Sequence, residues 1–231
     1  MKVLYIDCFA GIAGDMMVGA LLDLGVDEAA LRAELATLPL DNWELKVTRG
    51  TRHGIVGADV HVVVGGEVEG PGDDSGHSHD HDHDHEHEHD QHHNHGHTHN
   101  QAHRSWADIG EVIRSSGLSA SPMALALAIY QRLAEAEARL HGVTPEEIHF
   151  HEVGAVDAII DICAVAIGFS LLNVDRVVCA PVPAPRGFVK CAHGVMPLPA
   201  PATLELLRGA TIQEVDDKGE WVTPTGAAIL S

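Results

Sequence analysis

Two groups of side chains in this 231-residue chain have the types and spacing for metal chemistry. The first is the run from His77 to His103, which holds thirteen of the nineteen histidines, interleaved with acids as HSHDHDHDHEHEHDQHHNHGHTHN. Imidazole is the commonest side-chain metal ligand and suits nickel, zinc and copper alike. His77, His79, His81, His83, His85, His87, His89, His92, His93, His95, His97 and His99 are therefore read as metal ligands, with the metal left open. A purification tag would be terminal and would not alternate with carboxylates. The other plain reading is a solvated acidic linker.

The second group is Ile148-His-Phe-His-Glu-Val-Gly-Ala-Val-Asp157, followed by Asp161. In an extended run His149 and His151 point to one face and Phe150 to the other. Asp157 and Asp161, four apart, share one face of the apolar helix expected from about Ala155 to Leu172. Such a set suits a divalent metal with nitrogen and oxygen ligands, or a site that hydrogen-bonds a polar ligand. The plain alternative is a helix start where Glu152 favours the dipole and the aspartates form ion pairs. Carboxylates on a buried face are costly unless partnered, which favours a function.

The elements around these groups follow from pattern. Pro71 to Gln101 contains no Val, Leu, Ile, Phe, Met, Tyr or Trp. Fixing one residue costs about 1–2 kcal/mol, so ordering such a segment would cost some tens of kcal/mol with no apolar burial to offset it. It is expected to be disordered, a reservoir that concentrates an ion rather than an active site. The chain then divides into an N-terminal α/β part (1–70), the histidine-rich insert (71–102) and a helical, then proline-rich part (103–231). The fold class is α/β (mixed α+β), one globular domain interrupted by the insert.

Lys2–Asp7 reads as a strand, CFAGIAG as a glycine turn, and Asp15 to about Leu24 as a helix; the plain reading of this junction is a tight turn with Asp15 capping the helix. Strand, glycine turn and helix start can receive a phosphate on backbone N–H groups. Further helices are expected at Asp27–Thr37, from Ser105, from Ser121 to Gly142, and at Thr203–Arg208; strands at Trp43–Thr48, Ile55–Val64 and Val174–Cys179. Seven of the eleven prolines lie beyond residue 180, so the last third is expected to be built of turns, with Arg186, Cys191 and His193 on loops.

The formal net charge is −20, and the eight acids from Asp73 to Asp90 leave about −12 without them, which argues against nucleic acid or an anionic membrane as partner. No apolar run reaches the roughly twenty residues of a bilayer span. The N-terminus lacks signal-peptide architecture, and Cys8, Cys163, Cys179 and Cys191 form no C-x-x-C pair, so a cytoplasmic setting with reduced thiols is expected.

The residues also carry a resemblance. Asp7-Cys-Phe-Ala-Gly-Ile-Ala-Gly-Asp-Met16, His53-Gly54, the acidic histidine-rich insert, His103-Arg104, Ala136-Glu137, His141-Gly142, His149-Phe-His-Glu-Val-Gly-Ala155 with Asp157 and Asp161, His193-Gly194, Pro197–Ala202 and Thr223-Pro-Thr-Gly-Ala227 run through the chain in order. Together they resemble the N-terminal portion of the nickel-insertion proteins that mature the nickel-pincer cofactor of lactate racemase. The resemblance implies a cyclometallase, of the lyase class, that inserts nickel into a pyridinium mononucleotide bearing two thiocarboxylates. It implies CTP with Mn or Mg as cofactor, at a nucleotide site in a C-terminal part, and apo-lactate racemase as recipient of the product. Because this sequence stops after TPTGAAIL, it is expected to be the first product of a split gene or a truncated piece, needing the C-terminal half. Homo-oligomerisation stays open.

Residues and resemblance combine into a set of expectations. Nickel would pass from the insert to a tighter site near His149, His151 and Glu152, and the substrate's soft sulfurs would draw it off. Forming a carbon–nickel bond needs loss of a ring proton; Glu152, Asp157 and His193 are the candidate bases. The substrate phosphate would sit on the turn framed by Asp7, Gly11, Gly14 and Asp15. The competing reading is a non-enzymatic nickel or zinc store or metallochaperone, and a weaker third is a nucleotide-binding regulatory subunit.

Overall fold

The computed structural model describes residues 1–52, 54–69, 104–191 and 193–231. The histidines from His77 to His99, and the disorder expected for 71–102, lie outside the described residues. The described residues form a mixed α/β structure.

The first half holds β1 (Val3–Ile6), α1 (Gly14–Asp23), α2 (Glu28–Leu35), β2 (Trp43–Arg52), β3 (Ile55–Val64) and β4 (Glu67–Glu69). The second holds β5 (Arg104–Ser105), α3 (Trp106–Arg114), α4 (Ala120–His141), β6 (His149–Phe150), α5 (Val156–Leu171) and β7 (Arg176–Cys179). It closes with β8 (Val182–Pro185), β9 (Gly187–Cys191), β10 (Gly194–Leu198), α6 (Pro201–Leu206), β11 (Ile212–Val215) and α7 (Pro224–Leu230).

Helix α5 is the centre of the core. Every residue from Ala158 to Gly168 is buried, and α1, α2, α4 and β3 pack around it. A helix apolar on all sides must be enclosed in this way. Gly168 makes room for Leu21 of α1, since a Cβ there would stand 2.8 Å from its Cδ1. β1 pairs in parallel with β7, which brings Cys8 Sγ within 3.7 Å of Cys179 Sγ. β2, β3 and β4 form an antiparallel sheet whose inner residues Leu45, Val60 and Val62 are buried.

The expected elements differ from the observed ones in four places. β2 continues to Arg52 rather than stopping at Thr48, because its hairpin with β3 stays in register to Arg52 opposite Ile55. Asp15 does not cap α1: Ala13 is the N-cap, and the Asp15 carboxylate accepts the N–H of Met16 at 2.7 Å inside the first turn. β6 ends at Phe150, so the extended face expected to carry both His149 and His151 stops short of His151. The proline-rich region is stranded, not only turned. β9 and β10 form a hairpin, while β8 pairs in parallel with β11. These sheets are two-stranded, and a strand with a free edge tolerates proline because one row of its N–H groups has no partner to bond.

Candidate functional site

The loop from Phe150 to Ala155, between β6 and α5, is held from three sides. The fully buried Tyr130 of α4 donates its hydroxyl hydrogen to the Val153 carbonyl at 3.1 Å. Its ring stands edge-on to Phe150 and stacked on Trp106, with centroids 6.1 and 6.4 Å away. The Arg104 guanidinium donates to the Gly154 carbonyl at 2.9 Å. An unpaired buried carbonyl would cost about 1–3 kcal/mol, so these bonds fix the loop rather than decorate it. The loop presents His151 and Glu152 outward on an anchored base.

His151 meets His193 from a distant segment, and His193 meets a third histidine, His141. Its ring stands edge-to-face with His193, centroids 5.0 Å apart, and His193 in turn lies 5.2 Å from His141. His193 is placed by the turn of the β9–β10 hairpin, where Gly194 takes a φ of 91°. His141 is the last residue of α4, which the left-handed Gly142 then terminates. One turn back on α4, Glu137 approaches His141 Nε2 at 3.5 Å. Burial raises the Glu137 carboxyl, the imidazoles of His141 and His193 oppose that rise, and Glu152 adds to it. Glu220 at the rim is raised by partial burial and then by the charge of Glu152. Three imidazoles and three carboxylates thus gather on an accessible surface.

As placed, no three His, Cys, Asp or Glu side chains among the described residues enclose a single ion. His141, His151 and His193 are all exposed, and exposed side chains change rotamer in picoseconds to nanoseconds. Nitrogen and oxygen donors of this kind suit nickel or zinc.

The remaining expected residues are distributed as follows. His149 lies opposite Ser105 in the β5–β6 pair and near Asp108, whose carboxyl is lowered first by its bonds to Ser105 and to a lesser extent by His149. Asp157 and Asp161 lie on the inward face of α5, each with a buried Oδ1 that has no hydrogen-bond partner. Asp7 follows β1. At Gly11 (φ 95°) a Cβ would fall 2.0 Å from the Trp221 carbonyl oxygen; at Gly14 it would fall 2.7 Å from the Asp161 carboxylate. The glycine turn is therefore packed against Trp221 and Asp161. Glu137, His141 and Glu220 were not among the expected site residues. The spacing of Glu137 and His141, one turn apart at a helix end, is the one local signal that could have pointed to them.

The model of the nickel insertion protein family matches residues 4–231. The chain belongs to this family. Over its whole length it is 43% identical to the pyridinium-3,5-bisthiocarboxylic acid mononucleotide nickel insertion protein of Desulfitobacterium hafniense (strain DSM 10664 / DCB-2), covering 49% of that protein. It is 42% identical to the protein of the same name from Geobacillus kaustophilus (strain HTA426), covering 50% of it. The chain thus spans about half the length of the curated relatives it matches. No solved structure matches it. Among the described residues no helix is long and apolar enough to cross a membrane.

Proposed function

We propose that this chain carries out the nickel-handling part of nickel insertion into pyridinium-3,5-bisthiocarboxylic acid mononucleotide. The observation that carries the reading is the meeting of His141, His151 and His193 from a helix end, a loop and a hairpin. Family membership supplies the metal and the names of the relatives supply the substrate class.

On this reading nickel is cargo. The imidazoles of His141, His151 and His193 hold it with help from Glu137 or Glu152, and His149 stands nearer the α3 end as an entry ligand. Borderline nitrogen and oxygen donors grip nickel less firmly than the two thiocarboxylate sulfurs of the substrate, so transfer runs toward the substrate. The ring proton that leaves as the carbon–nickel bond forms needs a base, and Glu152 and His193 are the nearest candidates to the cluster. Asp157, inside the core, is the more remote one. The His77–His99 segment supplies the ion when nickel is scarce. CTP with Mn or Mg, the lyase class, apo-lactate racemase as recipient and the family's C-terminal half as partner belong to this reading too.

The test is nickel insertion into the bisthiocarboxylated mononucleotide, followed by product absorbance, with the chain alone and with a C-terminal half of the family plus CTP and Mn. The His151→Ala/His193→Ala variant is expected to lose nickel transfer in whichever arrangement supports it. Unchanged transfer in that variant would sink the reading.

A further inference from the structure

We propose that the outer face of the β1–β7 sheet, with the free edge of β1, is the docking surface for the C-terminal half of the longer relatives. This rests on the reading of the chain as the first part of such a protein, and it names the surface that joins the two parts.

Strand β1 reads Val-Leu-Tyr-Ile and β7 reads Arg-Val-Val-Cys, so both are apolar almost throughout. Parallel strands have this composition because parallel sheets are normally covered on both faces. Here one face is covered and the other is not. Leu4 and Ile6 turn inward, whereas Val3 and Tyr5 point outward and are 46% and 62% exposed. Beside these two, in register, stand Arg176 and Val178 of β7. One edge is bare as well. The carbonyls of Lys2 and Ile6 accept the N–H groups of Arg176 and Ala180, so the even-numbered residues of β1 face β7. Val3 and Tyr5 therefore turn their N–H and C=O groups to the opposite edge, where no strand pairs among the described residues. Two strands alone make a marginal sheet, and an apolar edge with unpaired N–H and C=O groups is a template for a further strand.

Composition, charge and continuity select the occupant. Residues 71–101 contain no Val, Leu, Ile, Phe, Met, Tyr or Trp with which to bury Val3 and Tyr5. A second copy would bring together two chains of formal charge −20, which repel each other. The longer relatives, by contrast, carry about as much chain again besides the part matched here. A cavity of about 200 Å³ opens at the end of β7, between Cys179, Pro181, Val182 and Leu230. Leu230 is the penultimate residue, so polypeptide attached at Ser231 starts beside this strand pair. Such a continuation reaches the bare face and edge without crossing the molecule, and it enters next to an unfilled apolar space.

The experiment joins this chain at Ser231 to the remaining part of the Desulfitobacterium hafniense relative and follows amide hydrogen exchange, residue by residue, against the chain alone. The Val3 and Tyr5 amides should exchange fast in the chain alone and at least about tenfold more slowly in the joined protein. Tyr5→Lys should restore fast exchange at Val3 in the joined protein while leaving the melting temperature of the chain alone unchanged. Ile55→Lys, at an equally bare position on the β2–β3 hairpin, should restore nothing. Fast exchange at both amides in the joined protein overturns the proposal, as does Ile55→Lys acting like Tyr5→Lys. Protection in the chain alone that grows with its concentration also overturns it, and makes a second copy the occupant. Nickel insertion by the joined protein is measured separately. Insertion without protection overturns the docking surface alone, and protection without insertion overturns the functional reading alone.

Discussion

His193, in a β-hairpin turn, stands 5.0 Å from His151, on the loop that opens the central helix, with the two rings edge to face. Neither residue is held there by sequence proximity. The hairpin β9–β10 brings one, and the Tyr130 and Arg104 bonds to the loop bring the other. Each of the two histidines should therefore be separately necessary for tight nickel binding.

Loss of an outer partner alone typically costs a metal site about 10–100-fold, so loss of a ligand should cost at least about 100-fold. Isothermal titration of a chain lacking 77–101 with nickel should show this drop for His193→Ala and His151→Ala. His149→Ala should have a smaller effect, because His149 faces Asp108.

Removing Gly76 to Gln101 separates insertion from storage. Turnover at saturating nickel should be unchanged, and only the nickel concentration needed for half-maximal rate should rise. A chain that loses all activity with that segment, even at saturating nickel, behaves as a store.

Stability should respond to pH through the buried acids. The Asp161 carboxyl is raised in the folded state by burial first and by Asp15 and Asp157 after that. A raised folded value means the native state holds the proton more firmly, so this contribution is full below the ordinary carboxylate value. It is lost as pH rises through the folded one. In EDTA the melting temperature should fall over that window, and Asp161→Asn should flatten the slope. An equal slope in the variant would assign the effect elsewhere.

Two thiols should be inert. Burial pushes Cys163 up to about 12, and burial with the neighbouring Cys8 sulfur does the same to Cys179. Since the thiolate is the reactive and metal-binding form, iodoacetamide at pH 8 should leave both unlabelled until the chain is denatured. Mass mapping of the labelled native chain checks this.

Glycine substitutions should separate crowding from backbone strain. A Cβ on Gly226 would fall 2.2 Å from the Ile12 carbonyl oxygen, whereas at Gly25 (φ 98°) nothing lies within 4 Å. Gly226→Ala should cost about 3 kcal/mol, near the top of the overpacking range, and Gly25→Ala about 1–2 kcal/mol for its left-handed backbone. Urea unfolding of the two variants gives the comparison.

Much of the fold was legible where one element could be read alone. The apolar stretch of α5, the stripe of α4 with Gly142 behind it and the hairpin β2–β3 each carry their own period. The strands β8 to β11 were hidden because proline argues against strand, and only a free edge, a tertiary fact, excuses Pro183, Pro185 and Pro197. The site was half legible for the same reason. Asp157 and Asp161 share a face by helix geometry alone, and His151 was marked by its motif. His141 read as a helix terminus, since nothing local places the His193 hairpin against it. Gly14 read as a phosphate turn, and the structure shows Asp161 packed into the space its missing side chain leaves.

The most direct test of the account is nickel X-ray absorption on the chain lacking 77–101, loaded with one equivalent of nickel. The expected spectrum shows a nitrogen and oxygen shell with the multiple-scattering signature of two or three imidazoles, lost when His141, His151 and His193 are all alanine. Nickel that fails to bind without the insert, or an imidazole signature that survives the triple variant, would contradict it.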